Sequence, residues 1–588
     1  MRRGLTSPRC AVIAARRCAA VAATLALGGC NLAPHYDAPR MDTSTRFKEA
    51  VHGDAGGEGW KLAEPRDGAI PGNWWEMYAD PPLNELESRV AVSNQTVVAA
   101  EANYRSALAL VREAQASLFP TLSLDPSVTR SRSSAAITAI GGSAGTAATG
   151  GAAVTTGSTA TGTTATGTTT TGTTSSAAAF SPAPHNIFTV PVEASYQFDI
   201  WGSIRNTVAE NRFTAQATAA QLETALLSTQ TQLAQDYFQL RVADEQRRIL
   251  ETTVADYQMS LDLVRTLFEN GLNSDADVAA AESQLESARA QATDVGVSRA
   301  EYEHAIAVLI GVPPSQFSIP YRRLNQALPT VPVGIPADLL ERRADIASAE
   351  RSVAETNAAI GVARAAFFPS LTLSASAGYE ATAIGQLFNW PNRFWSVGPS
   401  LAQALFDGGA RRAATAQARA QNDQAAANYR QTVLTAIQAV EDNLASLRIL
   451  AEELVQQHRA TVAARRSVQL TFVLFKSGVD SYVNVITAQN AYLSSRESEL
   501  QVQLKQLAAS VNLIDNLGGG WSQSQWRATE RLAMHPQDPG TVPRVPAADA
   551  GPGSANPPQL PPGEVKPDDF MQDDDDSLPV LPPPLRAK

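Results

Sequence analysis

Cysteine and proline are missing from long parts of this 588-residue chain. The three cysteines, Cys10, Cys18 and Cys30, all lie in the first thirty residues, so the remaining chain has no thiols for a disulfide. No proline occurs between residues 191 and 313 or between residues 399 and 536. Because proline interrupts helices, these two gaps leave room for very long ones. Aromatic residues make up only 6% of the chain, which favours closely packed helices over a bulky globular core.

The sequence shows no recognisable catalytic, metal-binding or nucleic-acid-binding pattern. A net charge of −11 argues against a nucleic-acid partner. Gly518-Gly519-Gly520 lacks the Lys-Ser/Thr of a phosphate-binding loop and follows a helical pattern. We therefore expect no enzymatic activity, no cofactor and no bound metal. The histidines are scattered without metal-ligand spacing: His35, His52, His185, His304, His458 and His535.

Residues 1–29 are predicted to be a secretory signal peptide. Arginines precede an apolar stretch from Cys18 to Leu27, which is too short to span a membrane. The stretch ends in Leu27-Gly28-Gly29-Cys30, which is similar to the lipobox of bacterial lipoproteins, so Cys30 is the expected lipid anchor. Ordinary cleavage that leaves a free thiol is the alternative. Asn31 after the cysteine favours delivery to the outer membrane.

The chain contains two copies of one pattern. Gly202, Phe268 and Gly271 recur as Gly409, Phe475 and Gly478 at a constant offset of 207 residues. Phe119-Pro120 recurs as Phe368-Pro369 at an offset of 249. The 42 additional residues therefore lie between Pro120 and Gly202, where residues 131–179 form a tract of Ala, Gly, Ser and Thr. We interpret this as an internal duplication with one enlarged loop.

Alternating apolar and polar residues predict four strands, two in each copy. A half-buried sheet of a soluble protein alternates in the same way, but these segments run about 10 to 14 residues, near the length of a tilted transmembrane strand. Glu193 and Asp199 on the polar side suit a water-filled lumen. Four strands cannot close a barrel, and lipid does not tolerate open edges, so a barrel requires several chains. The apolar positions are Leu122, Leu124, Val128, Phe188, Val190, Val192, Ala194, Tyr196, Phe198, Leu371, Leu373, Ala377, Tyr379, Trp395, Val397, Pro399 and Leu401.

Each strand pair precedes a predicted helical hairpin of unusual length. Residues 203–269 would extend roughly 100 Å as one helix at about 1.5 Å per residue. Asn270-Gly271 and Ser477-Gly478 mark the reversals, because glycine permits the turn. The returning helices are predicted from Asp275 to about Ile310 and from Tyr482 to about Leu517. A 4-3-4-3-4 spacing predicts a coiled-coil seam at Leu250, Val254, Tyr257, Leu261, Val264 and Phe268.

These patterns divide the chain into successive segments. They are a signal peptide (1–29), an extended lipidated segment (30–82), a helix of the first copy (83–118), a strand pair (119–202), a helical hairpin (203–312), a linker (313–336), a helix of the second copy (337–367), a strand pair (368–409), a second hairpin (410–521) and a disordered Pro-rich acidic tail (522–588).

Residues from about 27 to 521, without the Ala/Gly/Ser/Thr tract, resemble the TolC-like outer-membrane efflux proteins. The likeness is to the lipoprotein (NodT-like) branch that partners resistance-nodulation-division (RND) pumps. The motifs that carry it are the lipobox with Asn31 to Pro39, Trp74-Trp75, Asp80-Pro81-Pro82-Leu83, the two Phe-Pro strand entries, Phe198-Asp199-Ile200-Trp201-Gly202, Leu405-Phe406-Asp407-Gly408-Gly409 and Leu517-Gly518-Gly519-Gly520-Trp521.

The resemblance implies a mixed α/β membrane protein that forms a homotrimer. Four strands from each chain would form a twelve-stranded β-barrel in the outer membrane, continued by a long periplasmic α-helical barrel. The implied function is the outer-membrane channel of a tripartite efflux system for drugs or other small molecules. The implied partners are a periplasmic membrane-fusion adaptor, an inner-membrane RND-type pump and outer-membrane lipid.

The resemblance also assigns the hairpin turns to adaptor docking. Gly271 and Gly478, together with Phe268 and Phe475, correspond to the tips that an adaptor contacts in the family. A glycine at each position is in any case required to end the helix.

The periplasmic gate is where this sequence departs from its relatives. In the family, an aspartate ring nine residues past the second glycine and an apolar ring one turn earlier narrow the pore. Here those positions hold Thr487 and Val483. Asp277 matches an aspartate of the family's tip network, and Asp275 lies close by. Because a ring of like charges attracts cations, its absence at Thr487 predicts weaker block by divalent cations than in relatives.

Two other functional classes remain open at the level of sequence. One is a pore-less periplasmic coiled-coil lipoprotein scaffold or pump adaptor, although adaptors carry one helical hairpin and this chain has two. The other is the outer-membrane channel of a type I protein secretion system. The exported compounds are not evident from the residues.

Overall fold

The computed structural model describes residues 31–41, 47–49, 73–132, 184–324, 328–329, 331 and 339–521. All of them belong to one unit of the chain. The predicted signal peptide, Cys30, most of the 131–179 tract and the 522–588 tail lie outside the described residues.

Long helices dominate the described residues. The helices are α1 (Pro81–Ser93), α2 (Gln95–Ala116), α3 (Ser203–Glu269), α4 (Asp275–Leu309), α5 (Ala344–Ala365), α6 (Ala410–Lys476) and α7 (Tyr482–Asn516). The strands are β1 (Thr121–Leu124), β2 (Ser127–Ser131), β3 (His185–Phe198), β4 (Ser370–Ala381) and β5 (Arg393–Ala402). Short helical turns occupy Trp74–Tyr78, Pro314–Gln316, Leu339–Arg342, Ile384–Gln386 and Trp390–Asn392.

Two helical hairpins lie where the sequence pattern predicts them. Both descending helices, α3 and α6, contain 67 residues, and both returning helices, α4 and α7, contain 35. The predicted seam of α3 is buried from Leu250 to Val264, with Val254 half-buried, and ends at Phe268, which is exposed. Helix α3 packs against α2, α4, α5 and α7, while α6 packs against α5 and α7.

The predicted helix 83–118 is instead two helices, because the chain breaks at Asn94. Its backbone is extended, and its side-chain Oδ1 accepts hydrogen bonds from the backbone N–H groups of Thr96 (2.8 Å) and Val97 (3.2 Å). Asparagine is among the preferred residues at a helix N-cap, and Asn94 stabilises the start of α2 in this role. The side-chain Nδ2 donates to the carbonyl of Leu309 (2.7 Å), which lies at the end of α4. The break therefore joins α2 to the end of the first hairpin.

The second hairpin has a similar junction built from different side chains. Arg343 precedes α5 and donates through Nη1 to the backbone carbonyl of Asn516, at the end of α7 (2.8 Å). The same guanidinium pairs with Asp345 (2.7 Å). Gly311 and Gly518 follow the two returning helices with φ of +70° and +94°. An added Cβ would lie 2.3 Å from the Ser93 carbonyl oxygen at Gly311 and 2.1 Å from the Arg342 carbonyl oxygen at Gly518.

The strands form one antiparallel sheet in which β3 pairs with β1, β2 and β4, and β4 pairs with β5. The first predicted strand is divided by Asp125-Pro126, because proline supplies no ladder N–H. The register places apolar residues in one row and polar residues in the next. One apolar row is Leu122, Ala194, Ala375 and Val397, and the adjacent polar row is Ser123, Glu193, Ser376 and Ser396.

Asp199 does not belong to the polar face of the strand, contrary to the prediction from alternation. Strand β3 ends at Phe198, and the Asp199 carboxylate accepts hydrogen bonds from the backbone N–H groups of Ile204 (3.1 Å) and Arg205 (2.9 Å). Gly202, the N-cap, has no side chain to satisfy these donors, so Asp199 caps α3 in its place. Glu193 does lie on the polar face.

The main apolar core lies where the middle of α3 meets α1 and the C-terminal half of α7. Trp74, Tyr78, Tyr237 and Phe238 are fully buried there. Tyr237 donates a hydrogen bond to Asp80 (2.8 Å) in this core. Among the described helices, none combines the length and apolar character required of a membrane span.

Buried charges hold the linker between the two copies against the first hairpin. Asp244 accepts from Arg241 (2.9 Å) and from Arg299 (2.8 Å), and Arg241 also donates to the Pro320 carbonyl (2.9 Å). The opposite charges pair with each other and backbone carbonyls accept from both arginines, although Arg241 Nε and Nη2 find no hydrogen-bond partner among the described residues. The network thereby fixes the start of the linker, a contact that the sequence pattern did not reveal.

Candidate functional site

The candidate site is the pair of hairpin turns, where α3 reverses into α4 and α6 into α7. Gly271 and Gly478 have φ of +70° and +74°, and no atom within 4 Å of the position that a Cβ would occupy. The left-handed backbone, rather than lack of space, therefore requires glycine at both turns. The next residues, Leu272 and Val479, are large apolar side chains exposed to solvent.

The first turn is closed by a reciprocal cap. Ser274 Oγ accepts from the backbone N–H of Asp277 (3.2 Å), while the Asp277 carboxylate accepts from the Ser274 hydroxyl (2.8 Å) and backbone N–H (3.3 Å). A carboxylate in the first turn is also favoured by the helix dipole. Asp277, predicted as part of a gate network, therefore stabilises the start of α4. Asp275, two residues earlier, is exposed.

The second turn has the same backbone but a different polar arrangement. Asp480 accepts hydrogen bonds from the Ser481 backbone N–H (2.8 Å) and from the Asn484 side chain (2.6 Å). At the offset of 207, Asn484 corresponds to Asp277 and Asp480 to Asn273. The carboxylate has thus moved from the helix into the turn. The prediction from sequence overlooked Asp480, although the constant offset was sufficient to find it.

The two predicted aromatic residues of the tips occupy different environments. Phe268 is 42% exposed, whereas Phe475 is 5% exposed and packs against Tyr482, with ring centroids 5.3 Å apart. We call the apolar cluster around Phe475 the tip core. It joins both hairpins through Tyr257, Leu261, Val264, Val278, Ala281, Leu285, Ala288, Phe475, Tyr482 and Val485.

Tyr482 illustrates how closely the two tips are coupled. Its burial, with smaller contributions from Tyr257 and from the Asp277 carboxylate, raises the pKa of Tyr482 to about 12. Asp277 belongs to the first tip and Tyr482 to the second. The packing of the tip core therefore connects α4 directly to α7.

The predicted gate residues of the second hairpin lie side by side on α7. Val483 and Thr487 are one turn apart and exposed, and the Thr487 hydroxyl donates to the Val483 carbonyl (2.9 Å). Both groups of this hydrogen bond are neutral, so the Thr487 position carries no charge. The structure brings Val483 and Thr487 together, while Asp275 and Asp277 lie across the tip core at the start of α4.

A polar belt crosses the interface of the hairpins further along the helices, and sequence patterns did not indicate it. Gln489 of α7 donates to Ser260 of α3 (3.2 Å) and accepts from Gln284 of α4 (3.2 Å). Tyr257 donates to Asn490 (3.4 Å) in the same region. Neutral side chains therefore link three helices beside the tip core. Among the residues that the structure describes, no group of three or more His, Cys, Asp or Glu side chains is arranged to hold a metal ion.

The fold and the paired tips define a class of protein built from two long helical hairpins, each following a pair of strands of one sheet. Solved structures share this fold, among them two outer-membrane channels. The outer-membrane channel OprN covers 84% of this chain and 100% of its own length, with a TM-score of 0.69 and 24% identity. The Campylobacter jejuni outer-membrane channel CmeC covers 86% and 98%, with a TM-score of 0.70 and 21% identity.

The chain belongs to the outer membrane efflux protein family, whose model matches residues 86–312 and 335–519. The antibiotic efflux pump outer membrane protein ArpC of Pseudomonas putida is 28% identical over 514 residues, which is 86% of this chain and 96% of ArpC. The solvent efflux pump outer membrane protein SrpC, also of P. putida, is 29% identical over 507 residues, covering 86% and 98%. The resemblance inferred from the sequence is confirmed.

Proposed function

We propose that this chain is the outer-membrane channel of a tripartite efflux system, conducting drugs or other small molecules to the exterior. The two-faced sheet is the observation that carries this function. Every row across β1, β3, β4 and β5 from residue 192 to 194 of β3 is either apolar or polar as a whole. Such a sheet suits lipid on one side and a water-filled lumen on the other.

The open edges of the sheet support a homotrimer. Strand β5 pairs only with β4, and β1 and β2 pair only with β3, among the described residues. Unpaired backbone groups are not tolerated in lipid, so these edges require partners. Pairing β5 of each protomer with β1 and β2 of the next would give twelve strands in three copies, counting β1 and β2 as one interrupted strand.

We infer an internal duplication, with the segment boundaries predicted from the sequence. Equal helix lengths support it: 22 residues in α2 and α5, 67 in α3 and α6, and 35 in α4 and α7. The equivalent junctions at Gly311 and Gly518 add to this support.

A lipid anchor at Cys30 is supported by the course of the residues that follow it. The Leu32 carbonyl accepts from Arg364 (3.4 Å), the Pro34 carbonyl accepts from Asn357 (3.0 Å), and the Tyr36 hydroxyl donates to Glu350. Followed from Tyr36 back to Leu32, the segment thus runs along α5 toward the end of that helix from which β4 begins. An acyl chain on Cys30, two residues before Leu32, would lie near the membrane end of the helices.

The hairpin tips are proposed to meet a periplasmic membrane-fusion adaptor that connects the channel to an inner-membrane RND-type pump. Phe268, Leu272 and Val479 are exposed and suit such a contact. Gly271 and Gly478 would set the shape of the tips, and Phe475 would act from beneath, through the tip core. Val483 and Thr487 would line the gate, with Asp275 and Asp277 nearby.

Electron microscopy of the mature protein purified from membranes in mild detergent tests this function. Three-fold particles with a barrel above helices roughly 100 Å long are expected. Single chains or two-fold rods without a barrel would reject the channel and favour a scaffold.

A further inference from the structure

The loop between β4 and β5, residues 382–392, has an unusual surface. Strand β4 starts five residues after α5 and β5 ends eight residues before α6, so this loop lies at the end of the sheet away from the helices. Ile384, Phe388 and Trp390 are each at least 70% exposed. Three large apolar side chains in one loop indicate a contact with something other than water.

The loop is ordered by its own hydrogen bonds. The backbone N–H of Asn389 donates to the Gln386 carbonyl (3.1 Å), and the Asn392 side chain donates to the same carbonyl (2.6 Å). Leu387 is buried beneath these turns. Because the backbone is fixed in this way, the loop presents its apolar side chains instead of turning them inward.

An arginine stands beside these side chains on the apolar face of the sheet. Arg393 is the register partner of Tyr379, whose ring packs edge-on against Phe388 (5.7 Å between centroids). The Arg393 guanidinium lies 3.7 Å from the centroid of the Trp390 ring. No carboxylate of the described residues lies within ion-pair distance of Arg393. Stacking on an indole orients the guanidinium while leaving its in-plane N–H donors available.

The other edge of the sheet carries a second arginine on the same face. Arg130 of β2 pairs in register with Asn186, two residues from the apolar pair Val128 and Phe188. It also has no ion-pair partner among the described residues. If the barrel closes between β5 and β2 of adjacent protomers, both arginines lie on neighbouring strands at its outer rim.

We propose that Arg393, Trp390 and Phe388 form a binding site for the phosphorylated glycolipid of the outer leaflet of the outer membrane. Phe388 and Trp390 would lie at the boundary of the acyl chains, where aromatic side chains are favoured. Arg393 would bind a phosphate group, for which the planar guanidinium is well suited. Arg130 of the adjacent protomer extends the site. This inference rests on the proposed channel function, which defines the apolar face as the lipid face.

Binding of fluorescent bisphosphorylated lipid A to the full mature protein in detergent tests the site. Arg393→Gln is expected to weaken binding about five- to tenfold, since one cation near an anionic surface contributes on the order of 1 kcal/mol. Arg393→Lys keeps the charge and should lose only about twofold. Arg459→Gln, at an exposed position on α6, is the matched control and should leave binding unchanged. Wild-type affinity in Arg393→Gln, or equal affinity for the dephosphorylated glycolipid, would overturn the proposal.

A second measurement distinguishes lipid from a neighbouring protomer as the occupant of the loop. The chain has no cysteine after Cys30, so Phe388→Cys introduces a single site for a fluorescent label. Quenching of this label by brominated lipid supports the proposal, and shielding from both lipid and aqueous quenchers rejects it. Channel conductance of the wild type in phospholipid bilayers, which contain no glycolipid, tests the channel function separately. Absence of conductance in the wild type would instead reject the channel function itself.

Discussion

The two hairpins share one backbone and differ in the side chains that hold it. In the first tip, the carboxylate of Asp277 caps α4 from inside the helix, whereas in the second, Asp480 binds Asn484 from the turn. The turn glycines have φ values within 4° of each other. The two tips therefore share one backbone geometry and differ in their polar contacts. The difference teaches that the shape of the tips and their charge pattern can vary independently.

The same contrast holds in the middle of the hairpins. Arg241 in α3 binds Asp244 and the linker, while Arg448, the corresponding residue of α6, binds Glu49 of the N-terminal segment (2.7 Å). Each hairpin thus uses an arginine at one position to hold a different incoming segment. The predictions below change one copy at a time and compare it with the other.

The largest effect is expected at the helix ends. Gly518→Ala should destabilise the protein by about 3 kcal/mol or more, because a left-handed backbone and a 2.1 Å contact with the Arg342 carbonyl must both be accommodated. Gly478→Ala meets only the backbone strain, about 1–2 kcal/mol. Thermal unfolding followed by circular dichroism in detergent measures both. Equal losses in the two variants would contradict the steric argument.

Introducing a charge at the proposed gate should change ion conduction next most strongly. Thr487→Asp would place three carboxylates around the axis of a trimer, and divalent cations should then block the channel at about tenfold lower concentration. Wild-type protein should show weak block, since Thr487 is neutral and bonded to Val483. Asn484→Asp, which lies nearer the turn, is the matched control. Strong block of the wild type in bilayer conductance would disprove the predicted role of Thr487.

The helix junctions allow a comparison of caps. Asn94→Ala removes two bonds to the start of α2 and one to the end of α4, and should cost about 1–2 kcal/mol. Arg343→Ala removes two bonds to Asn516 at the end of α7 and the ion pair with Asp345, but these groups are partly exposed to water, so it should cost less, about 1 kcal/mol. The unfolding midpoints of the two variants order these effects. A reversed order would show that the arginine junction is the stronger.

The smallest effect concerns Asp407, the carboxylate that precedes the long helix α6. Asp407 accepts hydrogen bonds from the Arg411 guanidinium and from the backbone N–H groups of Gly409 and Arg411. The guanidinium bond makes the largest contribution and the two backbone bonds follow, and together they lower the pKa of Asp407 to about 2. Its contribution to stability is present above the ordinary aspartate pKa near 4 and is lost as the pH falls toward 2. Asp407→Asn should therefore lower the unfolding midpoint slightly at pH 7. The difference between the variant and the wild type should shrink as the pH falls from 4 to 2 and vanish below pH 2, and a constant difference would contradict this explanation.

Periodicity and spacing were sufficient to predict the helical hairpins, since a 67-residue helix without proline has few alternatives. The break at Asn94 was not predicted, because a single asparagine can also occur inside a continuous helix. Only its contact with the distant Leu309 distinguishes the two cases, and the sequence does not show that contact. The burial of Phe475 depends on the packing of one hairpin against the other. Contacts between distant segments, such as Asp244 with Arg299, leave no periodic signal in the sequence.

The equal length of α3 and α6 restricts how such a protein can evolve. Both descending helices reach one shared tip core, so an added residue in one of them would shift its tip by about 1.5 Å and rotate it by about 100°. A lineage can therefore lengthen its hairpins only through matched changes in both copies. Insertions are free to accumulate elsewhere, and the 42 additional residues of this chain lie between Pro120 and Gly202, outside every hairpin.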